Sequence, residues 1–424
     1  MKFCISHPTK KLIGTIELTT SKSESNRALI IQALCSEPFE IKGLADADDT
    51  KVMVSILQSA KTYNQQENIY DVGAAGTAMR FLTAYFSTLE GTRIITGTDR
   101  MKKRPIGILV NALRELGASI DYLEEEGFPP LKINGRTLKG GEIEMNGNVS
   151  SQFISALLLI SPKLQDGLVI KFNGAVTSRP YVKMTLNMLK EFNVHAQWRD
   201  NFISVDKQGY QMKNEPGYTY KIEADWSAAS YWYGMVALSK EADFKIMGLL
   251  NSSLQGDSIV ADLFTFLGVK TEYIENGIRL TKTRIKDEHF GFNFSDCPDL
   301  AQTIAVVASA LKIPAFFNGL HTLQIKETDR VGALKKELKK LGTEIEILNE
   351  SCINIKYEDF LIDKITEPIS ISTYEDHRMA MAFSMLAIHD LNSICIEHPE
   401  VVKKSYPDFW KDFKKVGFEI KEMI

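Results

Sequence analysis

The sequence predicts a mixed α/β protein of two domains, each assembled from three similar helix–strand units. Three observations lead to this fold class: the length of the chain, a phrase that recurs at an almost constant interval, and a polar break near residues 223–227. At 424 residues the chain exceeds what one hydrophobic core usually serves, so two domains of about 200 residues each are expected. The polar break precedes a new apolar helix and is the best candidate for a domain border.

The recurring phrase is an amphipathic helix that ends in glycine or asparagine and is followed at once by an alternating strand. Such an end residue fits a left-handed helix C-cap. The copies end at Gly117, Asn193, Gly268, Gly342 and Gly417, at intervals of 76, 75, 74 and 75 residues. A weaker copy around Ser59 brings the number of units to six. A unit of this length holds about two helices and three or four strands, which predicts parallel or mixed sheets. Chance recurrence of a common helix end is the alternative.

Composition and charge narrow the range of partners. With a formal charge of −4, the chain lacks the basic excess of a nucleic-acid binder, so nucleic acid is not an expected partner. Residues 1–11 are polar and do not resemble a signal peptide, and the longest apolar run, near residues 153–160, is too short to span a membrane. We therefore expect a soluble cytoplasmic protein with no membrane partner, and a monomer as the default state.

The cysteines and histidines do not indicate a metal site. The five cysteines are scattered and form no CxxC pair, so free thiols in a reducing compartment are expected. No His, Cys or carboxylate spacing is typical of a metal site, and neither nucleotide-binding fingerprint is present, so no metal or cofactor is predicted. His377 lies between Asp376 and Arg378, where a structural role and a direct role are both open.

Three patches place small polar residues or glycine at predicted helix starts: SKSESNRAL, VGAAGTAMRFL and SSQFISALLLI. The exposed amides and positive end of a helix favour an anion at its start. Ordinary helix capping, or a plain tight turn at the glycines, is the alternative for each. The residues of interest in these patches are Lys22, Ser23, Arg27, Gly76, Ser150, Ser151 and Gln152.

Cations are concentrated in further short motifs. DRMKKRPIGILV places Arg104 closest to a helix start, where its guanidinium suits carboxylate or phosphate oxygens. Acidic and basic residues alternate in IKETDRV, YEDHRMAMAF and VVKKSYPDF. Each motif alone is compatible with a surface ion-pair network. Cations spread over both halves of a slightly acidic chain together indicate a small polyanionic ligand held between the domains. The residues singled out are Lys326, Glu327, Arg330, Asp376, Arg378, Lys403 and Lys404.

Taken in order, these motifs resemble those of the 5-enolpyruvylshikimate-3-phosphate synthases. The matching segments are SKSESNRAL, GAAGTAMR, RMKKRPI, SSQF, SRPY, IKETDR, YEDHRMAM and KKSYPDF, which run from residue 21 to about residue 410. The resemblance implies a two-domain enolpyruvyl transferase fold with three repeated βαβαββ units in each domain and ligands in the interdomain cleft. It also implies a discontinuous domain of residues 1–20 and 224–424, and a second domain of residues 21–223.

The implied reaction adds the 5-hydroxyl of shikimate 3-phosphate to C2 of phosphoenolpyruvate, protonates C3, and then expels phosphate from a tetrahedral intermediate, without a cofactor. In this interpretation Asp299 is the base, Glu327 exchanges the proton with C3, and Lys22 assists the departing phosphate. Shikimate 3-phosphate is expected to contact Lys22, Ser23, Arg27, Ser150, Ser151, Gln152, Ser178, Tyr181, Asp299 and Lys326. Phosphoenolpyruvate is expected to contact Lys22, Gly76, Arg104, Gln152, Arg330, Arg378 and Lys404.

Two other functions fit parts of the sequence less well. The enolpyruvyl transferase that acts on UDP-N-acetylglucosamine usually carries a cysteine shortly before the arginine corresponding to Arg104, and no cysteine lies between Cys35 and Cys297. A non-catalytic anion binder has no reason to keep an acid and a base among its cations. Ala74 and Phe81 stand where the family has asparagine and proline, so sensitivity to phosphonate analogues of phosphoenolpyruvate is left open.

Overall fold

The computed structural model describes residues 1–60, 68–212, 217–286, 288–357, 368–389 and 393–423. The chain forms two compact units and passes from one to the other twice. The first unit contains Met1–Thr20 and Glu223–Ile424, and the second unit contains Ser21–Ile222.

The elements up to residue 222 are β1 (Lys2–Ser6), β2 (Lys11–Glu17), α1 (Lys22–Leu34), β3 (Glu40–Lys42), α2 (Asp48–Ser59), β4 (Asn68–Asp71), α3 (Gly76–Ser87), β5 (Gly91–Thr96), α4 (Asp99–Lys102), α5 (Gly107–Glu115), β6 (Ser119–Tyr122), β7 (Leu131–Gly135), β8 (Gly141–Asn146), α6 (Ser151–Ile160), β9 (Leu168–Asn173), α7 (Arg179–Glu191), β10 (Ala196–Arg199), β11 (Phe202–Val205) and β12 (Thr219–Lys221). The elements that follow are α8 (Trp226–Leu238), β13 (Glu241–Met247), α9 (Val260–Phe266), β14 (Val269–Ile274), β15 (Gly277–Lys282), β16 (Phe290–Asn293), α10 (Ala301–Ala310), β17 (Ala315–Asn318), α11 (Arg330–Lys339), β18 (Thr343–Asn349), β19 (Cys352–Tyr357), β20 (Ile369–Ile371), α12 (His377–Ser384), β21 (Ile394–Glu397), α13 (Phe409–Lys415) and β22 (Glu419–Met423).

In the second unit, two four-stranded sheets have the strand orders β4-β5-β7-β6 and β10-β11-β9-β8, and β3 pairs with β12. Each four-stranded sheet joins one parallel pair to two antiparallel pairs. The parallel pairs are connected through a helix and the antiparallel end is a hairpin, as the two pairing modes require. Helices α1, α3 and α6 pack against one another.

The first unit has three four-stranded sheets with the orders β14-β15-β13-β2, β16-β17-β19-β18 and β20-β21-β1-β22. The N-terminal segment supplies β2 to one sheet and β1 to another, which explains why this unit is discontinuous in sequence. Helices α8, α10 and α12 pack together and are buried along almost their whole length. A helix that is apolar on all sides belongs in a core, so the ends of these helices, rather than one face, are available for polar residues.

The mixed α/β fold of repeated units is confirmed. All five helix-end residues named above have a positive φ, from 56° at Asn193 to 103° at Gly117, as a left-handed C-cap requires. The weaker copy around Ser59 differs, because the residue that follows α2, Ala60, has a φ of −67°. In the described part of the chain the sheet of that copy has two strands, β3 and β12, rather than four.

The expectation that every cysteine is a free thiol is wrong for one pair. Strands β1 and β21 pair antiparallel with Cys4 directly opposite Cys395, and the two sulfurs form a disulfide. The partners are 391 residues apart in sequence, so no local spacing indicates the pairing. Cys35, Cys297 and Cys352 are free. Among the described residues, no helix combines the length and the apolar character needed to cross a bilayer.

Candidate active site

Arg330, the first residue of α11, is the centre of an ion-pair cluster in the first unit. Its side chain is buried and donates to three carboxylates: Nε to Asp376 Oδ2 at 2.7 Å, Nη1 to Asp299 Oδ1 at 2.9 Å, and Nη2 to Glu327 Oε2 at 2.9 Å. A planar guanidinium with several fixed N–H groups is suited to this kind of shared contact. The arrangement brings together residues from three separate segments of the chain: the IKETDRV motif, the YEDHRMAMAF motif and the turn that contains Asp299.

Three more cations belong to this cluster. Arg378 donates through Nη2 to Asp299 Oδ2 at 2.7 Å. Lys404 Nζ lies 2.8 Å from Glu327 Oε1, and Lys326 Nζ lies 3.8 Å from Asp299 Oδ1. In these ion pairs of the described residues, four cations contact three carboxylates, so the seven groups together carry a net charge of +1. A small anion is attracted to such a cluster, since the positive charge is only partly compensated.

Helix starts fix the geometry of this cluster. Asp376 is the N-cap of α12 and accepts the backbone N–H of Arg378 at 2.8 Å. Asp299 lies in the 3-10 helix Pro298–Leu300, which leads directly into α10. Lys404 ends the 3-10 helix Pro399–Lys404. Because α10 and α12 are buried core helices, their starts hold Asp299 and Asp376 on a rigid frame.

The electrostatics of Asp299 follow from its neighbours. Burial opposes ionisation of its carboxyl, but the charges of Arg378, Lys326 and Arg330 outweigh burial and hold its pKa well below the usual range. Burial likewise opposes the charge of Arg330, and the nearby carboxylates overcome it and raise the pKa of that guanidinium. Both groups are therefore ionised at neutral pH in the cluster as it stands.

A second set of predicted residues lies around Arg27 in the second unit. Arg27 is buried in α1 and donates through Nε to Thr185 Oγ1 at 2.8 Å and through Nη2 to Ser155 Oγ at 3.1 Å. It also donates to the backbone carbonyls of Ser23 at 2.8 Å and Tyr181 at 3.2 Å. Burial lowers the pKa of Arg27 to about 10, and the group stays charged at neutral pH. Arg27 thereby joins the start of α1 to the start of α7.

Gly76, Arg104 and Gln152 are brought near one another in the same unit. A Cβ added at Gly76 would lie 2.6 Å from Nη1 of Arg104, so only glycine allows this close approach. Gln152 donates through Nε2 to Thr77 Oγ1 at 3.3 Å, and Ser150 caps α6. Nε of Arg104 is buried and has no hydrogen-bond partner among the described residues.

The remaining predicted residues sit at neighbouring helix starts. Lys22 is the first residue of α1, and its Nζ lies 3.1 Å from Asp49 Oδ2. Ser151 is the first residue of α6. Ser178 precedes α7 with a φ of 52°, a left-handed conformation that is uncommon for serine and fits a specialised loop.

Several polar residues in these clusters were not predicted from the sequence. Tyr231 of α8 is buried and its hydroxyl accepts from Nη1 of Arg378 at 3.2 Å, and burial raises the pKa of this hydroxyl to about 12. Asp49, Ser155 and Thr185 also contact predicted residues. Ser155 offered a signal, because it interrupts the apolar run FISALLLI, where a hydroxyl needs a polar partner. His377 is buried with Nδ1 3.8 Å from Asp376 Oδ1.

Comparison with known proteins points to one family. A family model for EPSP synthase (3-phosphoshikimate 1-carboxyvinyltransferase) matches residues 6–413. The chain is 50% identical over 422 residues to a 3-phosphoshikimate 1-carboxyvinyltransferase of Bacteroides fragilis, with 99% of each chain covered. It is 36% identical to one from a Sulfurovum species, with 97% of this chain and 98% of the relative covered.

Two solved structures are similar to this fold. One is an EPSP synthase from Acinetobacter baumannii, with a TM-score of 0.78, 21% identity, and coverage of 99% of this chain and 100% of that chain. The other is the enolpyruvyl transferase NikO from Streptomyces tendae, with a TM-score of 0.74, 14% identity, and coverage of 100% of this chain and 99% of that chain. At these identities the structures support the fold alone.

Proposed function

The chain belongs to the EPSP synthase family and transfers the enolpyruvyl group of phosphoenolpyruvate to shikimate 3-phosphate, and from this premise we propose how its residues carry out the transfer. The products are phosphate and 5-enolpyruvylshikimate 3-phosphate, so the enzyme serves the shikimate pathway to aromatic amino acids. Two small anionic molecules are its substrates.

Our proposal for phosphoenolpyruvate is that its carboxylate and phosphate are bound by cations and helix-start groups. These are Lys22, Gly76, Arg104, Gln152, Arg330, Arg378 and Lys404. For shikimate 3-phosphate, the proposed contacts are Lys22, Ser23, Arg27, Ser150, Ser151, Gln152, Ser178, Tyr181, Asp299 and Lys326. The catalytic residues in this proposal are Lys22, Asp299 and Glu327.

One observation supports these roles most directly. The proposed base, Asp299, and the proposed acid, Glu327, are hydrogen-bonded to three cations assigned to phosphoenolpyruvate: Arg330, Arg378 and Lys404. When the carboxylate and phosphate of the substrate pair with these cations, the hydrogen bonds to Asp299 and Glu327 are given up. Asp299 then takes a proton more readily, because the positive charges that hold its pKa low are neutralised, and Glu327 is released from Arg330 and Lys404. Substrate binding thereby prepares the acid and the base.

The reaction then proceeds in two steps. The 5-hydroxyl oxygen adds to C2 of phosphoenolpyruvate as Asp299 takes the hydroxyl proton and Glu327 delivers a proton to C3. In the second step the C2–O bond to phosphate breaks, Glu327 takes a proton back from the new methyl group, and a C2–C3 double bond forms again. Lys22 stabilises the charge on the departing phosphate, and the proton that Asp299 took passes to that phosphate or to solvent, which restores the Asp299 carboxylate.

The acceptor is tested by measuring phosphate release from phosphoenolpyruvate by the purified protein, with shikimate 3-phosphate or UDP-N-acetylglucosamine as the only acceptor. We expect phosphate to be released when shikimate 3-phosphate is the acceptor, and not when UDP-N-acetylglucosamine is the acceptor.

Glu327→Gln is expected to lower turnover by about 10²–10⁴-fold and to leave substrate binding nearly intact, since it removes one positioned proton donor. Glu346→Gln is the matched control, because Glu346 also accepts from a lysine, Lys356, at 2.6 Å but on an exposed strand. Unchanged turnover in Glu327→Gln would exclude the assignment.

The cellular setting and the domain borders are also proposals. We propose a cytoplasmic monomer, in line with the family's biosynthetic role and with the absence of a membrane-spanning helix among the described residues. The two compact units support a discontinuous domain of residues 1–20 and 224–424 and a second domain of residues 21–223. Gel filtration with light scattering tests the oligomeric state.

A further inference from the structure

Asp257 is a buried carboxyl that the proposed mechanism does not use. It lies in the 3-10 helix Gly256–Ile259, between β13 and α9, and is 3% exposed. Its Oδ2 accepts a hydrogen bond from the hydroxyl of Ser227, in the first turn of α8. Its Oδ1 is buried and has no hydrogen-bond partner among the described residues. A buried carboxylate oxygen without a hydrogen-bond donor lowers the stability of the folded protein, so its presence calls for an explanation.

The position of Ser227 links Asp257 to the ion-pair cluster. Ser227 and Tyr231 are four residues apart on α8, and therefore lie on the same face of that helix. Ser227 donates to Asp257, whereas Tyr231 accepts from Arg378, which in turn donates to Asp299 at 2.7 Å. One face of α8 thus contacts Asp257 at one end and the partner of Asp299 at the other.

The charged groups around Asp257 come from several elements. Asp225 lies at the start of α8, Arg378 on α12, and Cys297 and Asp299 on the turn that leads into α10. Burial first, and then the charge of Asp299, raise the pKa of Asp257 to about 7, against the opposing effects of Ser227 and Arg378. Burial first, and then Asp257, also raise the pKa of the Cys297 thiol. The charge of Asp299 therefore acts on Asp257. Because a Coulomb interaction between two groups is reciprocal, the charge of Asp257 acts on Asp299 in turn.

We propose that Asp257 is a positioning residue that acts through Asp299: the charge on the buried Asp257 carboxyl sets how readily Asp299 accepts the substrate's hydroxyl proton. This inference rests on the proposed role of Asp299 as the base. When Asp257 is ionised, its negative charge disfavours the ionised form of Asp299, which makes Asp299 the stronger proton acceptor. When Asp257 is protonated, that effect is lost. Its unpartnered Oδ1 is the oxygen that can carry the proton.

The first test is the dependence of kcat on pH, from about pH 5.5 to 9. The wild-type kcat is expected to rise through one ionisation near or above neutral pH as Asp257 loses its proton. Asp257→Asn, which is permanently uncharged, is expected to lack this rise, so that its kcat is close to wild type at pH 6 and roughly tenfold lower at pH 8.5. Asp262→Asn, at an exposed position on α9, is the control and keeps the wild-type profile.

Ser227→Ala gives a second test that does not depend on the fold tolerating Asp257→Asn. The Ser227 hydroxyl donates to the ionised form of Asp257 and lowers its pKa. Removal of that hydroxyl is expected to move the rise in kcat to higher pH, without abolishing it. A merely structural role of the Ser227 contact would change kcat by the same factor at every pH. A rise that stays at the wild-type pH in Ser227→Ala overturns the proposal.

Thermal unfolding provides a readout that does not depend on catalysis. The pKa of Asp257 is higher in the folded protein than the usual value of about 3.9 in an unfolded chain. The folded state therefore binds more protons between about pH 4 and pH 7, and stability is lost as the pH rises through that window. Asp257→Asn removes this loss, so its Tm relative to wild type is expected to increase from pH 5 to pH 8.

Comparison of the Asp299→Asn and Asp257→Asn variants distinguishes a failure of the Asp257 inference from a failure of the base assignment. Full turnover by Asp299→Asn would overturn the base assignment itself. If Asp299→Asn is inactive while Asp257→Asn keeps the wild-type pH profile, the base assignment stands and the inference on Asp257 is wrong. Loss of the rise in kcat in Asp257→Asn alone, with its retention in Asp262→Asn, supports the inference.

Discussion

Replacing Asp376 with asparagine tests the role of the buried ion pairs most sharply. Asp376 is fully buried, and its two oxygens accept Nε of Arg330 at 2.7 Å and the backbone N–H of Arg378 at 2.8 Å. Asparagine has one acceptor oxygen and is a good N-cap, so Asp376→Asn can keep the cap of α12. It cannot keep both contacts, and it removes the negative charge beside Arg330.

The expected loss of stability depends on the carboxylate partners that Arg330 keeps in the variant. Breaking a buried pair by removing one partner costs about 3–5 kcal/mol, and losing one hydrogen bond to a charged group costs about 1.5–3 kcal/mol. Arg330 keeps Asp299 and Glu327 as partners, so the cost falls towards the lower range. We expect Asp376→Asn to lower the free energy of unfolding by about 2–3 kcal/mol, and the Tm by about 5–10 °C for a unit of this size.

Urea denaturation followed by circular dichroism measures this loss of stability. An m-value equal to that of the wild type would show that the variant exposes the same amount of surface on unfolding, so that the two free energies can be compared. Asp243→Asn is the matched control, because Asp243 accepts two hydrogen bonds from Arg279, at 2.7 and 2.6 Å, on the protein surface. Exposed pairs contribute little to stability, so the control is expected to unfold at the wild-type urea concentration. If Asp376→Asn also unfolds there, the reasoning that burial makes the Arg330 contacts structurally important is refuted.

Three further predictions concern binding and covalent structure. Lys404→Met should raise KM for phosphoenolpyruvate about tenfold or more in steady-state kinetics and leave the Kd of shikimate 3-phosphate unchanged; equal effects on both would contradict the assignment. Arg27→Lys loses the guanidinium fork, so calorimetry should show at least a tenfold weaker Kd for shikimate 3-phosphate, and wild-type affinity would contradict this. Dithiothreitol should lower the wild-type Tm but not that of the Cys4→Ser/Cys395→Ser double variant, since the disulfide constrains the unfolded chain. An equal Tm with and without dithiothreitol would exclude the disulfide.

The sequence was most informative where structure is local. A helix that ends at Gly268 or Gly342 needs a left-handed residue there whatever surrounds it, so the repeated phrase predicted the repeated fold. The signal was weakest at Ser59, where the following Ala60 is right-handed. The contact between the Asp376 carboxylate and the backbone N–H of Arg378 is equally local, because it joins two residues at the start of one helix.

Contacts between distant parts of the chain were beyond the reach of sequence patterns. Arg330 binds Asp376 across 46 residues, and Tyr231 meets Arg378 across 147. Nothing in SAASYWYGMVAL distinguishes Tyr231 from the other buried aromatic residues of α8, because its polar partner is supplied by another helix. The expectation of free thiols was wrong for Cys4 and Cys395 for the same reason, since Cys4 faces Cys395 only once β1 has joined β21.

By itself, the sequence determined that the chain folds into repeated α/β units and carries the motifs of an enolpyruvyl transferase. Only the tertiary structure decided which charges face each other: that Arg330 holds three carboxylates at once, and that Asp257 lies buried beside the network of Asp299. The physical reason is the range over which the interactions act. Backbone conformation and helix capping depend on neighbours within a few residues, whereas burial and Coulomb interactions depend on distances in space that only the folded chain defines.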